Sequence, residues 1–135
     1  MKRIIAFILL IGLISCKEET QDKIETTPIV EEELVETHNG VYREYYPGKK
    51  QLKFEGMQDE NNQRHGKWSF YNEKGIEITV TYYDHGKKHG HSIVKHPNGV
   101  IYYYGEYDND KMVGIWKTYD EKGKLIQEKD YGTAK

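Results

Sequence analysis

The 135-residue chain contains one cysteine, three prolines, two tryptophans and three phenylalanines. A single thiol cannot close an internal disulfide, so no disulfide framework holds this protein together. It carries no G-x-S-x-G, no G-x-x-x-x-G-K-[ST] and no H-E-x-x-H, which removes the nucleophile-elbow hydrolases, the P-loop enzymes and the HExxH metalloproteases. Asp108-Asn109-Asp110 begins like a calcium loop, but Met112 stands where an oxygen ligand belongs and Val113 where the sharp turn needs glycine. A strong excess of positive charge is also lacking: the formal net charge is −2, and neither half has the basic bias of a nucleic-acid binder. The length is that of one small domain with tails, since domains run to roughly 100–200 residues, and a multidomain enzyme is excluded.

At the N-terminus Lys2 and Arg3 precede an unbroken apolar run from Ile4 to Ile14, followed by Ser15 and Cys16. This is the order of a secretory signal: charged region, apolar region, small residue. As a helix the run would span only about 16 Å, half of the roughly 30 Å hydrocarbon core, so a permanent transmembrane helix is disfavoured. Leu13-Ile14-Ser15-Cys16 resembles the lipobox of bacterial lipoproteins. That resemblance implies cleavage before Cys16 and acylation of its sulfur and amine, and it gives the lone thiol a role. Two or more acyl chains anchor stably where one is marginal. Lys17-Glu18-Glu19 resembles the signal that sends lipoproteins of Bacteroidetes to the outer face of the outer membrane; it also reads simply as the start of an acidic linker. Residues 17–39 hold eight acids and two lysines with few large apolar residues, a composition expected to stay disordered. As a coil it would hold the following domain about 26 Å from the bilayer.

Beyond residue 40 the chain becomes rich in tyrosine, all 12 of them lying there, and tyrosine favours strands. It also repeats: Gly66, Gly90 and Gly114 are 24 residues apart, as are Gly75, Gly99 and Gly123, and Tyr83, Tyr107 and Tyr131. Trp68 and Trp116 keep two such intervals, with Ser92 between them, and a degenerate first copy starts at Gly40. Four units thus fill residues 40–132, a period typical of repeat architectures. In each, two alternating segments flank a turn, as in Gly66–Tyr71 and Ile76–Tyr83 around Asn72-Glu73-Lys74-Gly75, so each unit reads as a β-hairpin. Pro97 suits the second position of a type I turn, and Gly75, Gly99 and Gly123 supply the positive φ of the bulge that follows it. Tyr46-Pro47-Gly48 is one residue shorter and suggests a type II turn with glycine third.

Simple alternation places Trp68 and Phe70 on one face together with Ile76, Ile78, Val80 and Tyr82, and Val100, Tyr102 and Tyr104 at corresponding places one unit later. It places Tyr83 and Tyr107 on the opposite, more exposed face. The fold class expected is therefore all-β: four stacked antiparallel hairpin repeats of about 24 residues in an elongated, twisted, single-layer sheet. The domain boundaries expected are 1–16 for signal peptide and lipobox, 17–39 for linker and 40–135 for the repeat domain.

Tyr104-Gly105-Glu106-Tyr107 followed by Gly114-Ile115-Trp116-Lys117-Thr118-Tyr119 and Gly123, echoed by Tyr71, Gly75, Tyr83, Gly86 and Gly90, resembles the MORN repeat in its bacterial variant form. Copies of that family form stacked antiparallel hairpins, and some of its bacterial members carry an antitoxin label. Ser92 and Lys95 depart from the family's aromatic pair in the third unit, and the first unit lacks most of the G-x-W core.

Four histidines, His85, His89, His91 and His96, fall within twelve residues, and His89-x-His91 would put two imidazoles on one strand face. His65 and His89 occupy one repeat position, however, and the last unit has Val113 there, so no metal site and no cofactor are expected. The carboxylates lie mostly at turn or linker positions, so no catalytic residues are assigned and the chain is read as non-enzymatic. What remains is tyrosine: Tyr71, Tyr83, Tyr103, Tyr107 and Tyr119 form the candidate binding face, since exposed tyrosine offers rigid area plus a hydroxyl. The same residues serve equally as aromatic ladders that hold a single-layer sheet together. The expectation is a lipid-anchored envelope protein of the bacterial outer membrane, attached through Cys16, whose repeats bind a protein, peptide or glycan. The alternative is an antitoxin or immunity-like inhibitor of a toxin. An exported chain is poorly placed to neutralise a cytoplasmic toxin, and a toxin gene beside this one would favour the alternative.

Cys16→Ala should abolish acyl labelling and leave the chain unprocessed or free of the membrane. Acyl labelling unchanged in that variant would remove the lipoprotein assignment.

Overall fold

Two kinds of tight turn recur along the chain and set its topology. The first is the four-residue turn expected from sequence: the Gly75, Gly99 and Gly123 amides donate to the carbonyls of Asn72, His96 and Asp120 at 2.9, 2.8 and 2.9 Å. Those glycines have φ of 80°, 88° and 82°, the left-handed conformation that lets a type I turn rejoin twisted strands. Asn72 and Asp120 reinforce it, each side chain accepting two backbone N–H bonds from the turn it begins. The second kind is the two-residue turn at Asn39-Gly40, His85-Gly86 and Asn109-Asp110, where both central residues have positive φ, as a type I′ hairpin requires.

The computed structural model describes residues 34–133. Cys16, the expected signal segment and the acidic stretch to residue 33 lie outside the described residues. The described chain is all β: β1 (Val35–His38), β2 (Val41–Tyr45), β3 (Leu52–Gln58), β4 (Arg64–Tyr71), β5 (Glu77–Asp84), β6 (Lys87–Lys95), β7 (Ile101–Asp108), β8 (Lys111–Tyr119) and β9 (Leu125–Asp130). They form one open antiparallel sheet in chain order, β1 through β9, with no helix among the described residues. The sheet starts earlier than the boundary at residue 40: Val35–His38 pair with β2 in the register Val35↔Glu44 to His38↔Val41. The acidic stretch therefore does not run as linker to residue 39. Asn39-Gly40 supplies the hairpin turn that folds its end back onto β2.

Each return strand carries one extra residue near the four-residue turn. Phe70 pairs with Thr79 and Tyr71 with Glu77, leaving Ile78 unpaired; Lys53, Tyr102 and Ile126 are left over in the same way. A bulge of this kind shifts the alternation by one residue, and one residue is enough to exchange the faces of a strand. The expected face assignment fails for that reason. Val80 pairs with Ser69 and Ile93, and Tyr82 with Lys67, so both lie opposite the Trp68 face. Tyr104, paired with Ile93 and Lys117, lies with them. The Trp68 face keeps Phe70, as expected, and receives Phe54, Thr79, Thr81 and Tyr83.

Trp68 and Trp116 are the expected core residues, 1% and 5% exposed. With no second layer over them among the described residues, they are buried by what lies below and around them. Trp68 pairs with Gly56 across the strands, and a Cβ added to Gly56 would meet the indole at 2.3 Å; at Gly105 it would meet Trp116 at 2.2 Å. Each indole thus lies flat on the backbone of the neighbouring strand. Its N–H is satisfied at the edge: Trp68 Nε1 donates to the Met57 carbonyl at 2.8 Å, and Trp116 Nε1 to Glu106 and Val113 at 3.1 and 3.2 Å. Rings close the perimeter, Tyr42, Phe54, Phe70 and Tyr83 around Trp68 and Tyr103, Tyr107 and Tyr131 around Trp116. The Arg64 guanidinium covers the first indole 4.5 Å above its centre.

Gly105→Ala introduces no backbone strain, because this glycine is not among those of positive φ, and so isolates the steric term. It should displace the Trp116 ring and cost about 1–3 kcal/mol, lowering the melting temperature by roughly 4–8 °C per kcal/mol and shifting tryptophan emission to the red. An unchanged melt and emission would mean the indole does not depend on contact with the glycine.

Candidate binding groove on the indole face

Three cross-strand pairs run along the Trp68 face: Gly56 with Trp68, Thr81 with Ser92, and Gly105 beside Trp116. In the outer two a large ring covers a glycine. In the middle two small residues meet instead, their hydroxyls 2.9 Å apart and both side chains buried. The hydrogen bond satisfies both polar groups, so the pair is stable without an indole, but the volume an indole would fill stays open. The result is a groove of about 380 Å³ whose floor includes Thr79, Thr81, Ser92 and Val94. Tyr83 and Phe70, leaning on Trp68, form one wall; Tyr103 and Tyr107, leaning on Trp116, form the other. A second depression of about 270 Å³ continues past Tyr103 and Tyr107 to Trp116, Lys129 and Tyr131.

Cations rest on the rings of this face. Lys88 Nζ lies 4.8 Å from the Tyr107 centre and lines the groove, and Lys129 Nζ lies 4.4 Å from the centre of Tyr131. Burial, followed by the neighbouring tyrosines, holds the Tyr103 and Tyr107 hydroxyls above their ordinary range, although Lys88 pulls Tyr103 slightly back. Both stay protonated at neutral pH and can donate to a ligand. The groove therefore offers apolar ring area, hydroxyl donors and one ammonium, the mix that orients a ligand in a concave site.

The opposite face is chemically different. Its charges are matched side by side: Arg43 with Glu55 at 3.1 Å, Lys95 and Lys67 with Glu77 at 3.0 and 3.6 Å, and Lys117 with Glu128 at 3.4 Å. Burial alone would push the Glu77 carboxyl up, but hydrogen bonds from Lys95 and Ser69 bring it below its ordinary value.

The five candidate tyrosines divide between the faces. Tyr83, Tyr103 and Tyr107 line the groove. Tyr71 and Tyr119 do not join them: the Tyr71 hydroxyl donates to Glu55 at 3.2 Å, and Tyr119 stacks on Tyr104 with ring centres 6.1 Å apart. The expectation that Tyr83 and Tyr107 lie opposite the tryptophans is overturned, since their rings stand edge-on to Trp68 and Trp116 at 6.3 and 5.0 Å. Sequence reasoning did not assign Lys88, Thr81 and Ser92 to a site. The signal for Ser92 was present, as the one residue that breaks the tryptophan series.

The histidines are also redistributed. His89 and His91 do not share a site: their Nδ1 atoms lie 3.2 Å from Asp108 and 3.2 Å from Glu106 respectively. His96 Nε2 donates to the Tyr119 carbonyl at 2.9 Å. His85 instead meets His65 and Asp84.

No family model, curated protein or solved structure matches the chain.

Because the Glu77 carboxyl is held below its ordinary value, its contribution to stability is complete above about pH 4.3 and is lost as pH falls through the lowered folded-state value. Thermal melts between about pH 6 and pH 3 should fall more steeply for the wild-type chain than for Glu77→Gln. Parallel curves would show that the Lys95–Glu77–Ser69 cluster contributes nothing net.

Proposed function

We propose that this chain is a lipid-anchored protein of the bacterial envelope whose four MORN-like hairpin repeats act as a non-enzymatic interaction module. The anchor rests on the lipobox-like Leu13–Cys16 segment. The repeat reading is supported by elements that recur at 24-residue intervals: the bulges at Ile78, Tyr102 and Ile126, the four-residue turns closed by Gly75, Gly99 and Gly123, and the positive φ of Gly66, Gly90 and Gly114. The ligand is a protein segment, peptide or glycan that lies in the groove between the two indoles.

The observation that carries this reading is the groove itself. A repeat sheet built only for its own stability gains by placing an indole on every unit. Here the third unit, between the two that carry an indole, has a hydrogen-bonded Thr81–Ser92 pair in its place, opening a depression walled by three tyrosines with an ammonium beside them.

Thr81→Gly/Ser92→Trp restores the outer units' pairing in the middle one and fills the groove while keeping the sheet. Wild-type chain immobilised on beads and exposed to envelope extract should retain a specific ligand, and protease or glycosidase treatment of the retained material then assigns its class. The filled variant should melt no lower than wild type and retain at least about tenfold less, a loss of roughly 1.4 kcal/mol of binding free energy. Equal retention by the two chains would exclude the groove as the binding site.

A further inference from the structure

Away from the groove, the turn between β5 and β6 collects three metal-type donors. Asp84 ends β5, His85 opens the turn and His65 reaches over from β4. Asp84 Oδ1 lies 2.7 Å from His85 Nδ1 and 3.3 Å from His65 Nδ1, and the two imidazole centres are 5.3 Å apart. One donor atom from each residue falls within 4.8 Å of the others. Around a tetrahedral zinc ion, ligand atoms at about 2.0–2.1 Å from the metal stand roughly 3.3 Å from one another. The Asp84–His65 spacing equals that value and the Asp84–His85 spacing lies below it. The side chains are 47%, 52% and 66% exposed for His65, Asp84 and His85, so small rotations can close them on an ion without disturbing packing.

The next turn of the sheet provides an internal comparison. His89 and Asp108, 24 residues after His65 and Asp84, repeat the pair at 3.2 Å. The place of His85 is taken by Asn109, with nearly the same backbone, φ 46° against 44°. A His–Asp pair thus recurs at this position without a third donor, and His85 adds one beyond it. A space of about 250 Å³ adjoins the two imidazoles and is also lined by Asp59, Glu60 and Asn61. Asp59 Oδ1 accepts the Asn61 and Gln63 amides, both at 2.9 Å, while its buried Oδ2 has no hydrogen-bond partner among the described residues. The two carboxylates make the space favourable for a cation.

We propose that His65, Asp84 and His85 form a binding site for a divalent transition-metal ion of the zinc type. Two imidazoles and one carboxylate suit zinc, nickel or copper better than magnesium or calcium, which prefer all-oxygen shells. Three protein ligands leave a coordination position facing the space beside Asp59 and Glu60, open to water or to a donor from another molecule. This site does not depend on the groove reading, and its test does not touch the groove.

Isothermal titration of the tag-free full-length chain with zinc chloride, after removal of adventitious metal, should show one saturable site that magnesium chloride does not reproduce. His85→Asn and His65→Val install the residues found at equivalent positions, Asn109 and Val113, so the turn and strand should be retained, as circular dichroism can verify. Each should weaken zinc binding by at least about tenfold, the loss that follows even when an outer-sphere partner of a metal ligand is removed. His89→Val, in the comparison pair, should leave zinc binding unchanged. No saturable zinc binding by wild type, equal binding of magnesium, or zinc binding retained in both variants would overturn the proposal.

Discussion

An indole lying flat on a glycine is the contact on which this sheet depends. A single-layer sheet has solvent on both sides, and the usual route to burial, a second layer, is absent among the described residues. Trp68 and Trp116 achieve it by occupying the place where the cross-strand neighbour has no side chain, so that the ring contacts backbone below and other rings at its edges. Besides these two, Val80 is the only buried hydrophobic among the described residues. Burying a large side chain contributes about 1.5–3 kcal/mol, a large share of the stability of a small domain. The glycines at 56 and 105 are therefore as much a part of the core as the tryptophans.

That arrangement explains the pairing elsewhere on the face. Where the indole is missing, at Ser92, the opposing residue is no longer glycine but Thr81, and a buried hydrogen bond replaces ring contact. A glycine opposite Ser92 would leave one buried hydroxyl without this partner. The substitution is thus a change of the pair, and its consequence is a change of surface: a continuous aromatic face becomes two aromatic clusters with a groove between them. The reverse face, by contrast, carries oppositely charged side chains matched side by side. Stability and the groove share the indole face, with Tyr83, Tyr103 and Tyr107 serving both as supports for the indoles and as walls of the groove.

Much of the architecture was legible from residue order. Strand-forming composition, alternating segments and the recurring turn glycines pointed to an all-β antiparallel sheet, and Trp68 and Trp116 were identified as its buried residues. Local chemistry was sufficient there, because a glycine of positive φ after a type I turn acts over four residues. Asn39-Gly40 was an equally local signal for the hairpin that brings β1 into the sheet, but the acidic composition around it drew those residues into the linker.

Which side chain lies on which face was decided only by the assembled sheet. Alternation predicts a face only while the register is unbroken, and a bulge is a property of two strands at once. The extra residue at Ile78 moved Val80 and Tyr82 away from the tryptophans and brought Tyr83 to them. The meeting of His65 with His85 is of the same kind: twenty residues apart in sequence, they become neighbours because the start of β4 pairs with the end of β5 and the turn after β5 bonds back to β4 through the Gly86 amide and the Arg64 carbonyl. The sequence by itself determined the strands, their turns and the residues able to fill a core. Only the tertiary structure decided the faces, the groove and the histidine cluster, because each depends on cross-strand register, to which every residue between the partners contributes.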